Sequence, residues 1–136
     1  MRKILTTALL ALTFGANAQT LNPDNYEYPV RNVAGLCSSN FGEMRPDHFH
    51  SGVDIKTDGV EGKPVVAVAD GYISRIVVQP SGYGQALYVT HPDGTTSVYG
   101  HLSRFRSDID SLVRTERYRR QRNSVSYTHL TLPTSD

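Results

Sequence analysis

The sequence predicts an all-β, antiparallel fold with one short helix. Three observations carry this. Apolar runs of five to seven residues recur between residues 63 and 99. Asp-Gly and glycine-rich turns separate them. Only the stretch from Ser107 to Arg122 places apolar side chains at helical spacing. Short strands at regular intervals with such turns belong to compact antiparallel sheets.

Taken in order, residues 19–40 form a polar lead-in strap broken by Pro23 and Pro29. Lys63–Ala69 is the first strand of the dense region, and Asp70-Gly71 is a hairpin signal that returns the chain into Tyr72–Val78. Pro80–Gly84 is a tight loop, Gln85–His91 a third strand, Pro92-Asp-Gly94 a turn and Thr95–Tyr99 a fourth strand. Val65, Ala67 and Ala69 alternate with Val66 and Val68, so both faces of this sheet are expected to be covered. In the helix, Ile109, Leu112 and Val113 share a face, and Asp108 and Asp110 sit in the first turn, where carboxylates favour the helix dipole. The arginines from Arg104 to Arg122 read as a solvated helical insertion, or more sharply as a surface attracted to anionic envelope polymer.

The two ends differ from the middle. Arg2 and Lys3, the apolar run Ile4–Phe14 and the Ala16-Asn17-Ala18 triplet have the order of an export signal cleaved after residue 18. That run is too short to cross a bilayer, which takes roughly 20 residues. No membrane span is therefore expected after signal removal. Val125–Thr134 reads as the translation of GTC TCT TAT ACA CAT CTG ACG CTG CCG ACG, a run that looks like a sequencing-library adapter. Residues 125–136 are accordingly expected to be a non-native tail, and His129 is not counted as a ligand. The domain proper is then 41–124. The single cysteine, Cys37, cannot form an internal disulfide and is expected to be small and partly buried. A formal net charge of +1 argues against a nucleic-acid partner.

Candidate chemistry lies in His50-Ser-Gly-Val-Asp54 and in Tyr99-Gly-His101-Leu102. Imidazole nitrogen and carboxylate oxygen are both zinc donors. On an extended strand His50 and Asp54 would stand about 13 Å apart, so the segment must bend, and Gly52 offers the freedom to do so. His-x-x-x-Asp alone is a weak signal that a surface hydrogen bond would also explain.

The surroundings strengthen it. Asn40-Phe-Gly-Glu-Met-Arg-Pro46, His50–Ile55, Gly62–Ala67, Ala69–Ile73, Gly82-Tyr-Gly84, Tyr88–His91 and Tyr99–Leu102 occur in that order. The series resembles the lysostaphin/LytM-type zinc metallopeptidase domain, above all its exported Gram-negative members. That resemblance implies a duplicated hybrid fold with lipoyl-like hairpins, here incomplete at the C-terminal end. It implies that His50 and Asp54 are metal ligands for Zn2+, and that His101 is a catalytic histidine acting as a base or a donor to developing charge. In such enzymes zinc activates a water and polarises the scissile carbonyl. A later His-x-His would supply the third ligand. This chain has none after His101, so the chain itself is expected to bind zinc poorly and to be inactive. The implied substrate is peptidoglycan stem peptide cross-links, the implied place the periplasm or cell envelope, and any regulatory protein is left open. Arg45, Tyr83 and His48 are candidate substrate contacts. For Arg45 an ordinary salt bridge competes with that role, for Tyr83 simple packing, and for His48 a plain loop position.

Two other readings compete. A catalytically silent relative could activate cell-wall amidases by contact; intact His50, Asp54 and His101 argue against it. A lipoyl-type carrier would need a lysine at the hairpin tip, where this chain has Asp70-Gly71.

Overall fold

The computed structural model describes residues 22–121 and 124–128. The proposed export signal and residues 129–136 of the tail, His129 among them, lie outside them. Six strands and one helix follow one another: β1 (Cys37–Ser39), β2 (Asp54–Ile55), β3 (Tyr72–Val78), β4 (Gln85–Thr90), β5 (Thr96–Tyr99), α1 (Ser107–Arg120) and β6 (Val125–Thr128). They form a two-stranded ribbon, β1-β2, and a four-stranded antiparallel sheet in the order β5-β4-β3-β6. The predicted all-β antiparallel class with one helix is what is found, and four of the predicted elements, β3, β4, β5 and α1, fall where the pattern put them. Among the described residues no helix is long and apolar enough to cross a membrane.

β3 positions the core. A bulge between Ile73 and Arg75 adds one residue to the strand, which shifts the alternation of its side chains. Ile73, Ile76 and Val78 thereby all pack toward one cluster, with Leu87 from β4. That cluster is closed by Phe105 and by Ile109 and Val113 of α1, and Ile76 is fully buried in it. Val77, Ala86 and Val89 are also buried. The helix is therefore seated on the sheet through one face, and is solvated only on the other. Glu116 lies on the seated side and is buried; the guanidiniums of Arg119 and Arg120 hold its carboxyl down at about 2. Gln121 ends the helix in a left-handed conformation, its N–H donating to the carbonyls of Arg117 and Tyr118.

One predicted element is corrected. Lys63–Ala69 does not form a hairpin with Tyr72–Val78. Its backbone is paired instead with the strap: Arg31 N–H donates to Pro64 O at 2.9 Å, Val66 N–H to Pro29 O at 2.9 Å and Glu27 N–H to Val68 O at 2.6 Å, with Val30 and Val65 as bridge partners. The far end is pinned by side chains. Val68 N–H donates to the Tyr99 hydroxyl at 2.8 Å, and His91 Nδ1–H donates to Asp70 O at 2.7 Å. Local hairpin chemistry lost to a partner some 35 residues upstream. Gly71 is accordingly not a turn glycine. It is where the chain passes hard against β4, and a Cβ there would stand 2.5 Å from the Thr90 carbonyl oxygen. The edge of β3 that a hairpin partner would have filled is taken by β6. An open ladder edge accepts an extended segment through backbone groups alone, so this pairing leaves the proposed origin of residues 125–136 as a matter of nucleotide sequence. Cys37 is a second correction: it is exposed, on the short edge of β1.

The strap is tied down again at its start. The Tyr26 hydroxyl donates to Asp93 in the β4–β5 turn, and with the Thr95 hydroxyl and N–H it holds the Asp93 carboxyl down at about 2, below its ordinary 3.8. A carboxyl lowered in the folded state adds stability above its ordinary value and loses it as pH falls through the folded one. The melting temperature of the wild-type chain should therefore exceed that of Tyr26→Phe at about pH 5, and the gap should close between about pH 4 and about pH 2. A gap of constant size down to the lower limit would rule this link out.

Candidate metal centre

The ribbon β1-β2 sets Ser39 opposite Asp54. The residues between them fold back as a small hairpin. Gly42 N–H donates to His50 O at 2.7 Å, His50 N–H to Glu43 O at 2.8 Å and Arg45 N–H to His48 O at 2.8 Å, with Pro46 and Asp47 making the turn. This ladder holds Glu43, Arg45 and His50 beside Asp54.

His50 and Asp54 meet: Nε2 of the imidazole lies 3.3 Å from Oδ1 of the carboxylate. The bend that Gly52 was expected to permit is present, but Gly52 is not in the left-handed region; a Cβ there would stand 3.8 Å from His50 Nε2, an ordinary contact. The opposite ring nitrogen, Nδ1, lies 3.0 Å from Asn40 O and 3.0 Å from Ser39 Oγ. A backbone carbonyl only accepts, so Nδ1 carries a hydrogen, and Nε2, the nitrogen that faces Asp54, is the one left for a metal. Such an outer hydrogen bond is the usual orienting device for a metal-bound histidine. A tetrahedral ion with bonds of about 2.1 Å separates neighbouring donor atoms by roughly 3.4 Å, close to the spacing seen here. The pair thus fits zinc by donor type, tautomer and spacing. Among the described residues no third His, Cys, Asp or Glu joins it.

Arg45 reaches into the same site. Its guanidinium donates to Asp54 Oδ2 at 3.0 Å and to Ser39 Oγ at 2.7 Å. Both partners of the ion pair are substantially exposed, so it contributes at most about 1 kcal/mol to stability; its effect is to orient the carboxylate. Glu43 accepts from Ser39 Oγ, and this bond is the main cause that lowers its pKa below the ordinary carboxylate value. Ser39 and Glu43 were not singled out from the sequence. Glu43 lies within the Asn40–Pro46 stretch and Ser39 just before it, but neither stands at a ligand spacing that would single it out.

His101 stands exposed after β5, in the left-handed region at φ 56°. Its N–H donates to Tyr83 O at 2.9 Å, and its ring meets the Tyr83 ring edge-on with centroids 6.3 Å apart. Tyr83 in turn lies within 3.3 Å of Ser51 Oγ through its hydroxyl. Ser51 follows His50, so Tyr83 links His101 to the His50–Asp54 segment. Gly100 makes room for this: a Cβ there would stand 3.0 Å from the Tyr83 ring. The structure thus brings His50, Asp54 and Arg45 together, and joins His101 to their segment only by way of Tyr83 and Ser51. His48 is not in the network; it is exposed and paired with its neighbour Asp47 at 2.6 Å. His91 is buried, with Nε2 2.9 Å from Ser97 Oγ, in the polar chain that fastens residues 68–70. Two open grooves of about 640 Å³ each lie elsewhere, one between the strap and the β4–β5 turn and one beside the start of α1.

Comparison with known proteins gives the family. The chain is 31% identical over 100 residues to a protein of Haemophilus influenzae named "Uncharacterized metalloprotease", covering 67% of this chain and 20% of the relative. It is 39% identical over 73 residues to the "DD-carboxypeptidase/endopeptidase Mpg" of Neisseria meningitidis, covering 50% of this chain and 16% of the relative. It is 32% identical over 78 residues to the "Cell division protein DipM" of Caulobacter vibrioides, covering 57% and 12%. The chain spans about a fifth or less of the length of these relatives. No solved structure matches it. The model of peptidase family M23 matches residues 48–117, half of the chain, including His50, Asp54 and His101. The chain belongs to peptidase family M23.

Proposed function

We propose that the parent of this chain is a zinc-dependent endopeptidase that cleaves peptide cross-links of peptidoglycan, exported to the periplasm or cell envelope of a Gram-negative bacterium. The observation that carries the reading is the His50–Asp54 pair, preset at 3.3 Å with Nδ1 tied back to Asn40 O, in a peptidase-family chain. His50 Nε2 and Asp54 Oδ1 would hold the zinc, with a third ligand from outside the described residues. When bound, zinc supplies Lewis-acid polarisation of the scissile carbonyl and lowers the pKa of water.

The remaining work falls to the protein. Asn40 O holds a hydrogen on Nδ1, which favours the tautomer that leaves Nε2 to a metal. Arg45 fixes one oxygen of Asp54 and leaves the other facing His50. His101, exposed and braced by Tyr83, takes or donates a proton at the reacting group and can donate a hydrogen bond to the oxygen where charge develops. The relative named as a DD-carboxypeptidase/endopeptidase supports stem peptides as the substrate class.

The test is cleavage of purified cross-linked muropeptides, followed by mass spectrometry. The chain as given should cleave nothing; the same gene continued past residue 124 to a downstream His-x-His should cleave in the presence of zinc and stop on chelation. Cleavage by neither form would leave the second reading, a silent activator of cell-wall amidases.

A further inference from the structure

We propose that Ser39 is a positioning residue that presets both metal-facing side chains, His50 and Asp54, through one hydroxyl. The inference rests on the metal reading above and extends it to a residue that is not itself a ligand. Ser39 is buried, 7% exposed, and its Oγ has three side-chain neighbours: the Glu43 carboxylate, the Arg45 guanidinium at 2.7 Å and His50 Nδ1 at 3.0 Å.

A serine hydroxyl has one hydrogen to give and two lone pairs to accept with. Arginine only donates, so it takes one lone pair. A carboxylate only accepts, so Glu43 takes the hydrogen. What remains for His50 is the second lone pair, which requires Nδ1 to be the donor. The hydroxyl therefore demands the same ring tautomer as Asn40 O, 3.0 Å from the same nitrogen. The guanidinium that Ser39 anchors is also the one that holds Asp54 Oδ2 at 3.0 Å. Ser39 thus links the imidazole and the carboxylate through a path that does not pass through the metal position. Its place opposite Asp54 in the β1-β2 ribbon fixes the geometry from the backbone. Glu43 makes the polarity of the hub one-way: without a carboxylate, the Ser39 hydrogen is free to turn toward Nδ1 and favour the wrong tautomer. Outer partners of metal ligands are worth roughly 10–100-fold in metal affinity.

The experiment uses the whole chain with Ser39→Ala, Ser39→Thr and Glu43→Ala, and reads two quantities. One is the nitrogen NMR shifts of the His50 ring without metal; the other is zinc affinity by calorimetry. The wild type should show His50 with its hydrogen on Nδ1. Ser39→Ala should let that hydrogen exchange faster and weaken zinc by about 10-fold or more. Ser39→Thr, which keeps the hydroxyl, should restore both. Glu43→Ala should raise the population of the Nε2–H form, and it reads the hub from the other side should Ser39→Ala fail to fold. Unchanged ring spectra in both alanine variants would overturn the proposal. So would a zinc affinity for Ser39→Ala within about twofold of wild type. Because residues 1–136 are expected to bind zinc poorly, the calorimetry uses the same gene continued to a downstream His-x-His; if that wild-type form takes no zinc, the metal reading alone suffers, and the metal-free spectra still decide for or against Ser39.

Discussion

Gly71→Ala should cost the chain about 3 kcal/mol and shift its urea midpoint far to lower concentration. The new Cβ would stand 2.5 Å from the Thr90 carbonyl oxygen, 2.9 Å from Val89 Cγ1 and 3.0 Å from His91 Nδ1. Two of these atoms cannot swing away. Thr90 O belongs to the β4 backbone, and His91 is buried with both ring nitrogens engaged. Relief therefore requires the start of β3 to part from the end of β4, where Tyr72 pairs with Thr90. Stability of a domain this size is on the order of 5–15 kcal/mol, so the loss is a large share of the whole. Gly52→Ala is the control, since its Cβ meets only an ordinary contact at 3.8 Å; its unfolding free energy should stay within about 0.5 kcal/mol of wild type. Equal midpoints for the two variants would show that the close passage against β4 is not what the glycine serves.

Asp54→Ala should lower zinc affinity by more than about 100-fold, beyond the range that loss of an outer partner produces. The carboxylate is one of the two proposed donors among the described residues, and its removal leaves only His50 Nε2 of that pair. It also leaves the Arg45 guanidinium, 3.0 Å from Asp54 Oδ2, without its anionic partner and free to place its positive charge where the ion would sit. Both effects act in the same direction. Asp47→Ala, which removes the partner of exposed His48, should leave affinity unchanged. Calorimetry on a form of the protein long enough to bind zinc tightly gives the comparison. Loss of affinity in Asp47→Ala as well, or in neither variant, would detach the carboxylate of residue 54 from the metal.

Much of the sheet was legible because β3, β4 and β5 are short apolar runs between strong turn residues, and α1 because Ile109 and Val113 recur at helical spacing. Lys63–Ala69 was misread because periodicity reports that a segment is extended, and turn chemistry reports its nearest partner in sequence. Neither reports a partner such as the strap, whose prolines make it look irregular. The bulge at Ser74 is likewise silent in the pattern, yet it decides which face Ile73 joins. In the site, His50, Asp54 and His101 could be named because each is a ligand or base type in an ordered series of motifs. Ser39 and Glu43 could not, and Arg45 was named only as a substrate contact or a salt bridge, since common polar residues acquire a shared role only when a ribbon and a hairpin set them side by side. The path from His101 to His50 through Tyr83 and Ser51 is tertiary in the same way.

The twisted backbone at His101 bears on how this chain would answer selection. A side chain other than glycine held at φ 56° costs about 1 kcal/mol, and the edge-on contact with Tyr83 is the ring contact seen for the imidazole among the described residues. A laboratory screen that rewarded heat resistance alone would favour glycine at this place and would record the exchange as an improvement. A lineage that keeps the histidine is forgoing that gain for some duty other than folding.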